Sequence, residues 1–135
     1  MRRLFAVITL CLLALSIVAC SASTANISSA TLARSYADGK AVDATNTFAS
    51  TDNPVHYVVT LSNAPDDTKV KAVWTVVDAG DGKYKDQQLD ETTLQSSDGT
   101  LDFTLKGNQD WPTGKYKVDL YLNDKLDRSA DFNVQ

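Results

Sequence analysis

The chain has 135 residues, with 13 basic and 17 acidic side chains and a formal net charge of −4 at pH 7. Net negative charge repels polyanions, and no stripe of basic residues is interleaved with aromatic ones, so we do not expect nucleic-acid binding. Tetrahedral zinc sites use mainly cysteine and histidine ligands. The chain has one histidine and two cysteines, so it offers few such ligands.

The first 19 residues have the pattern of a secretion signal. Arg2 and Arg3 precede an uncharged, almost entirely apolar run over residues 4–19. A short basic head followed by an apolar core is typical of a signal peptide, and the run is shorter than the about 20 residues that a membrane-spanning helix needs. We therefore predict a signal peptide over residues 1–19, with an uncleaved anchor helix as the alternative.

The signal ends in the sequence Ile-Val-Ala-Cys at residues 17–20, which resembles the lipobox of bacterial lipoproteins. The resemblance implies that the Cys20 thiol carries a diacylglyceryl group, that the chain is cut before Cys20, and that the freed amine is acylated. Two or three acyl chains anchor a protein stably. The alternative is an ordinary secretory signal cut near Ala22, with Cys20 incidental.

The resemblance also predicts a location, lipid-anchored in a bacterial cell envelope. Ser21 follows the cysteine where some lipoproteins carry aspartate, and this resembles the sorting context for an outer membrane, if the organism has one. The sequence does not otherwise distinguish the inner from the outer membrane.

The mature chain is expected to hold together without a disulfide. Cys11 leaves with the signal and Cys20 is used for lipid, while 11 basic and 17 acidic side chains remain, a net charge of −6. Residues 20–30 are the lipidated cysteine and a serine- and alanine-rich stretch, which we predict to be a flexible tether. Fully extended, it would reach roughly 35 Å at about 3.5 Å per residue. Residues 31–135 are enough for one autonomous domain.

Apolar and polar residues alternate through most of that domain, which predicts β-strands. The first part, residues 31–48, is expected to supply one or two edge strands with Phe48 pointing inward. The alternation is clearest in five later runs: residues 55–61, 69–77, 100–106, 115–123 and 129–134. Strands with one apolar and one polar face are typical of antiparallel sheets packed over a shared core.

Turn-forming residues separate these runs. They lie at residues 63–68, 78–82, 96–99, 111–114 and 123–125, the last suited to a tight hairpin. Short strands with frequent turns over about 100 residues predict an all-β, immunoglobulin-like (Ig-like) antiparallel β-sandwich.

Two details support this fold class. Trp74 lies in a central strand region where Ig-like domains often bury an aromatic residue. The sequence Gly114-Lys115-Tyr116 resembles the approach to a tyrosine corner, in which the tyrosine hydroxyl bonds to nearby backbone. The cysteine pair of antibody domains is missing, so the resemblance does not extend to close antibody kinship.

Residues 48–134 are also similar to small Ig-like modules of bacterial envelope lipoproteins. The matching pieces are Phe48 before an acidic turn, VTLSNAP, TKVKAVW, WPTGKYKV and a final FNV. The resemblance implies an accessory role in the envelope and brings no catalytic residue with it.

The sequence offers little for catalysis or metal binding. Any Ser-His-Asp set would need His56, the single histidine, which we expect to be solvated on the polar face of its strand. Residues 78–91 are rich in carboxylates that could bind calcium, but Gly80 and Gly82 stand where EF-hand ligands belong. We interpret this stretch as a solvated acidic turn. We predict no catalytic residue, no metal site and no cofactor, and the sequence identifies no small-molecule substrate.

Trp111 and Tyr121 are the possible partner-binding residues. Trp111, in a connection between sheets, either anchors a partner or caps the core, and the cap is the preferred interpretation. Tyr121 shares nominally polar faces with Val58, Val73 and Val77, which form a partner patch if they group together. If they are scattered, they are ordinary surface residues or are covered by neighbouring strands.

The main functional hypothesis is a membrane-anchored, non-catalytic Ig-like domain that binds protein or polymer in the bacterial envelope. The alternative is a hydrolase or protease inhibitor whose loop at residues 108–113 plugs an active cleft. An enzyme is the least supported class, because the sequence lacks a nucleophile–base set.

Overall fold

The computed structural model describes residues 23–135, which contain nine β-strands and no helix. The predicted signal peptide and the predicted lipidation site, Cys20, lie outside the described residues. In the described part of the chain no helix is long and apolar enough to cross a membrane. The strands are β1 (Asn26–Ala37), β2 (Lys40–Ala44), β3 (Thr47–Phe48), β4 (Val55–Ser62), β5 (Thr68–Ala79), β6 (Tyr84–Ser96), β7 (Gly99–Leu105), β8 (Gly114–Leu122) and β9 (Lys125–Val134).

The strands form two sheets that face each other across one core. The four-stranded sheet has the order β2-β1-β4-β7, and the five-stranded sheet has the order β3-β9-β8-β5-β6. The strand pairs are antiparallel except for the short parallel pair of β3 with β9. With β1, β4 and β7 in one sheet and β5, β8 and β9 in the other, the arrangement matches the Ig pattern. The predicted all-β, Ig-like sandwich is confirmed.

An aromatic cluster joins the two sheets at the centre of the core. Trp74 is fully buried, with its ring 5.9 Å from that of Phe132 and 6.3 Å from that of Tyr57, both in edge-to-face geometry. Phe48 is also fully buried and contacts Phe132 edge to face, as predicted for the early edge strands. Burying each large apolar side chain contributes about 1.5–3 kcal/mol, so this cluster stabilises a domain whose predicted mature form has no disulfide.

The domain begins five residues earlier than predicted, because residues 26–30 are part of β1. The prediction that they belong to the flexible tether is wrong. Ile27 is 4% exposed and pairs with Leu61 of β4, and Arg128 donates a hydrogen bond to the Ile27 carbonyl at 2.6 Å. Backbone pairing with β4 stabilises this segment, although Ile27 is its only large apolar residue.

Strand β6 was not predicted, since residues 84–96 show no clear alternation. It pairs along the whole of β5 and, among the described residues, is the outermost strand of the five-stranded sheet. The predicted acidic turn at residues 78–91 is therefore wrong for most of its length, and only residues 80–83 connect the two strands. Side chains on an edge strand are exposed on several sides, so polar residues are tolerated at nearly every position.

The predicted hairpin between β8 and β9 is confirmed. Leu122 pairs with Lys125, and the two residues between them, Asn123 and Asp124, have φ values of 47° and 68°. Two successive left-handed residues form the type I′ turn whose twist matches that of the flanking strands.

The predicted tyrosine corner is present at the start of β8. The Tyr116 hydroxyl donates a hydrogen bond to the Pro112 carbonyl at 2.6 Å, and the ring stacks on Phe132 with centroids 5.3 Å apart. Burial raises the pKa of the Tyr116 phenol, so the hydroxyl stays protonated and able to donate. Gly114 is required two residues earlier, because a side chain there would collide with the backbone at Asp78 and Ala79.

Replacing Tyr116 with phenylalanine should lower the free energy of unfolding by about 1–2 kcal/mol, because the Pro112 carbonyl loses its donor. Urea titration would measure the change. If the unfolding free energy depends on urea concentration with the same slope in both proteins, they expose similar surface on unfolding and their values can be compared directly. Tyr121→Phe is the matched control, and a surface change of this kind should stay within about 0.5 kcal/mol. Equal effects of the two substitutions would contradict the role of the corner.

Candidate functional site

Three loops meet at one end of the sandwich, which we call the cleft end: residues 49–54, 80–83 and 106–113. The third loop crosses from β7 in one sheet to β8 in the other, so it passes over the end of the core. Gly80 N donates to the Thr113 carbonyl at 2.9 Å, which joins the second loop to the third.

Trp111 is fixed in the crossing loop by two hydrogen bonds to the first loop. Its backbone N–H donates to the Ser50 carbonyl at 2.9 Å, and its indole Nε1 donates to the Asp52 carbonyl at 2.8 Å. The ring packs over Gly107, where an added Cβ would lie 2.9 Å from Cη2 of the indole. Trp111 is half-buried and packs against the core, as expected for a cap, but one side of it lines an open cleft.

Asn53 joins the first and third loops a second time. Its Nδ2 donates to the Gly107 carbonyl at 2.7 Å, and the Gly107 N–H donates to Asn53 Oδ1 at 3.1 Å. The side-chain amide therefore pairs with the backbone of Gly107 as a neighbouring strand would. The Asn53–Pro54 peptide bond that follows is cis. Together with the Trp111 bonds, this pairing fixes the position of the crossing loop from both of its ends.

Asp52 organises the supporting loop itself. Its Oδ2 accepts the Ala49 backbone N–H at 2.8 Å and Arg34 Nε at 2.9 Å. The hydrogen bond from Ala49, followed by the one from Arg34, lowers the pKa of the Asp52 carboxyl. The ionised side chain therefore stabilises the loop whose carbonyl groups hold Trp111.

A cleft of about 200 Å³ opens between β6 and the crossing loop. Its walls are apolar and its rim carries amide and carboxylate side chains, of which Asn108, Gln109 and Asp110 are exposed. Leu89 of β6 lies at its edge and is 41% exposed. Pockets that enclose a whole small molecule are usually larger, about 300–1,000 Å³, so this cleft suits a single group of a larger partner.

Tyr121 does not share this site. It lies on the outer face of the five-stranded sheet, where Lys71 Nζ is 4.5 Å from its ring centroid. Tyr116 at the cleft end is five residues away along β8, or about 17 Å at about 3.3 Å per residue, and faces the core. Trp111 and Tyr121 are thus separate positions on the surface, and the role of each in partner binding stays a prediction.

Of the three valines that could form a patch with Tyr121, two lie in its sheet and one does not. Val73 and Val77 lie in β5, in the same sheet as Tyr121, but Val58 lies in β4 of the other sheet and is 5% exposed. Sequence alternation assigned Val58 to a polar face without showing that its neighbours cover it.

The prediction that His56 is solvated is also wrong. Its Nδ1 lies 3.0 and 2.9 Å from the two carboxylate oxygens of Asp102, and both side chains are mostly buried. This is the pairing of a base with its orienting acid, but no serine or threonine hydroxyl within residues 23–135 is hydrogen-bonded to His56. The pair joins β4 to β7 in the four-stranded sheet.

No group of three or more histidine, cysteine, aspartate or glutamate side chains in the described part of the chain is placed to hold a metal ion. The acidic stretch at residues 78–91 is divided between two strands and the turn at residues 80–83, so its carboxylates are spread along a sheet edge. This arrangement differs from a loop that wraps an ion.

Comparison with known proteins supports the fold. No protein-family model and no curated protein matches the chain. Among solved structures, an immunoglobulin-like protein from Pseudomonas aeruginosa matches with a TM-score of 0.55 and 14% identity, over 82% of this chain and 96% of that one. This likeness shows an Ig-like β-sandwich, a fold compatible with a non-catalytic binding domain.

Two further likenesses carry no argument about this chain. A β-glucosidase from Listeria innocua matches with a TM-score of 0.46 and 14% identity, over 82% of this chain and 16% of that one. An alkylpurine DNA glycosylase from Pseudomonas fluorescens, bound to DNA containing an abasic site analogue, matches with a TM-score of 0.45 and 15% identity, over 82% and 30%.

Replacing Asp52 with asparagine should destabilise the domain by about 1 kcal/mol at pH 7, since the ionised acceptor is lost. The pKa of Asp52 is lowered in the folded state, so its stabilisation is present above about pH 4 and is lost as the pH falls through the lowered value. Urea titrations at pH 7, 5 and 3 should show that the gap in unfolding free energy between wild type and variant is smaller at pH 3 than at pH 5 or 7.

The matched control is Asp110→Asn, which removes an exposed carboxylate on the crossing loop. It should change the free energy of unfolding little at any of these pH values. A gap between wild type and the Asp52 variant that is independent of pH would contradict the role of the ionised carboxylate.

Proposed function

We propose that this protein is a membrane-anchored lipoprotein that presents a non-catalytic Ig-like domain to a protein or polymer partner in the bacterial envelope. The anchor is argued from the lipobox-like sequence before Cys20, and the domain from the Ig-like fold. The observation that carries the binding role is the cleft beside Trp111. Hydrogen bonds within the domain hold the Trp111 ring in place without a partner.

The rigidity of the cleft favours binding. Ordering a long side chain at an interface costs about 0.5–1.5 kcal/mol, and Trp111 is already held by hydrogen bonds to Ser50 and Asp52. Half-buried tryptophans surrounded by polar groups are common anchors of protein interfaces. The walls would take an apolar group of the partner, and the amide side chains of Asn108 and Gln109 would bond to polar groups around it.

The same contacts disfavour the inhibitor alternative. A loop that plugs an enzyme must project from its scaffold, whereas the crossing loop is bonded to residues 49–54 near both of its ends, at Gly107 and at Trp111. This end of the domain forms a recess into which a partner inserts a group. No observation in the described residues favours enzyme inhibition over simple binding.

The anchor is tested by replacing Cys20 with serine. The wild-type protein should partition into detergent and membrane fractions, and its N-terminal peptide should carry the mass of the acyl groups. The Cys20→Ser variant should lose both properties, while Ser21→Ala, as the matched control, should keep both. Unlipidated mature wild-type protein free in the medium would contradict the proposal.

The binding site is tested by photo-crosslinking in intact cells, which does not require a stable complex. A photoreactive residue at Gln109 on the cleft rim should give a specific adduct, and one at the exposed Thr104 should not. A third probe at Tyr121 tests the other predicted position. Gly107→Ala, whose added methyl group would displace the Trp111 ring, should reduce the adduct several-fold. Adducts of equal yield from Gln109 and Thr104 would exclude the cleft as the site.

A further inference from the structure

The described chain is attached to the sandwich from its first residues. Thr24 Oγ1 donates to the Asn63 carbonyl at 2.8 Å, Asn123 Nδ2 donates to Ser23 Oγ at 3.4 Å, and β1 begins at Asn26. The N-terminal segment is therefore held at the end of the sandwich opposite the cleft, where the loops at residues 63–67 and 123–124 lie.

A third loop completes this end, which we call the anchor end. Asp98 Oδ1 accepts the Ala64 backbone N–H at 2.6 Å, so residues 97–98 lie against residues 63–67. Asn123 exchanges hydrogen bonds with the backbone of Lys69, which places the β8–β9 turn beside the start of β5. The anchor end is thus a set of mutually bonded loops.

The connection from Cys20 to the anchor end is short. Only Ser21 and Ala22 lie between Cys20 and Ser23. Three residue steps span at most about 10 Å at about 3.5 Å each, much less than the roughly 35 Å expected for a tether ending at residue 30. A domain on so short a connection cannot turn its far end to the bilayer without breaking the contacts of Ser23 and Thr24.

We propose that the anchor end faces the bilayer and that the Trp111 cleft points away from it, an inference that rests on the proposed lipidation of Cys20. Strand β5 runs between the two ends, from Thr68 at the anchor end to Ala79 at the cleft end. Eleven residue steps at about 3.3 Å place the cleft about 36 Å above the anchor end. The cleft is then presented to molecules in the aqueous layer and is out of reach of lipid.

The charges of the anchor end indicate that the short connection, and not attraction to lipid, sets this orientation. Its acidic residues outnumber its basic ones, and Lys69 is already paired with Asp124 at 2.9 Å. These charged residues are Asp66, Asp67, Asp98, Asp124, Lys69 and Lys125. Anionic headgroups repel an acidic surface, so lengthening the connection should release the domain from the bilayer.

Energy transfer from two labelled positions tests the orientation. The mature protein with its own anchor is placed in phosphatidylethanolamine–phosphatidylglycerol vesicles that carry an acceptor dye on the headgroups. Asp66→Cys and Asp110→Cys are a matched pair, because each replaces an exposed loop aspartate and the Cys20 thiol is blocked by its lipid. Transfer should be several-fold stronger from position 66 than from position 110.

A flexible insert of about twelve Gly and Ser residues between Ala22 and Ser23, with a mean span of about 20 Å, should reduce this difference. Equal transfer from the two positions without the insert, in protein whose acylated Cys20 is verified by mass spectrometry, would overturn the orientation and leave the proposed function standing. A Cys20 without acyl groups would overturn the proposed function and the orientation together.

Discussion

The packing of Trp74 between the two sheets is the interaction on which the rest of the structure depends. The predicted mature chain has no cysteine pair, so the bond that joins the sheets of antibody domains is replaced by edge-to-face contacts of Trp74 with Tyr57 and Phe132. Phe132 also stacks on Tyr116, and Tyr116 bonds to Pro112 in the crossing loop. The same packing therefore holds the sheets together and positions the loop that carries Trp111.

The two ends of the sandwich have different characters because different parts of the chain bond to each. At the cleft end, residues 49–54 fix the crossing loop and leave an apolar recess beside Trp111. At the anchor end, the loops bond mainly to one another and to the N-terminal segment, and their charges are mostly acidic. Under the proposed function, this asymmetry separates membrane attachment from partner contact along the long axis of the domain.

Features that depend on a short stretch of sequence could be predicted from the sequence. Features that depend on contacts between residues far apart in the chain could not. The alternation in β4, β5, β7, β8 and β9 follows from one face meeting the core, and the tyrosine corner follows from a short motif. The sequence does not reveal strand β6 or the start of β1, because each is stabilised by backbone pairing with a neighbouring strand. Backbone hydrogen bonds do not require alternating apolar side chains, so they leave no pattern in the sequence. The pairing of His56 with Asp102 depends on strand register across 46 residues, and the setting of Trp111 depends on Asp52, 59 residues away.

The position of β6 at the edge of its sheet has a consequence under the proposed lipidation of Cys20. Lipid attachment concentrates copies in two dimensions, and a long regular edge would then template lateral polymerisation of neighbouring copies. Asp86 interrupts that edge with a φ of 48°, and the register between β5 and β6 shifts at Trp74 and Thr75. Under the proposed function, these local irregularities disfavour pairing of β6 with the same edge of a neighbouring copy.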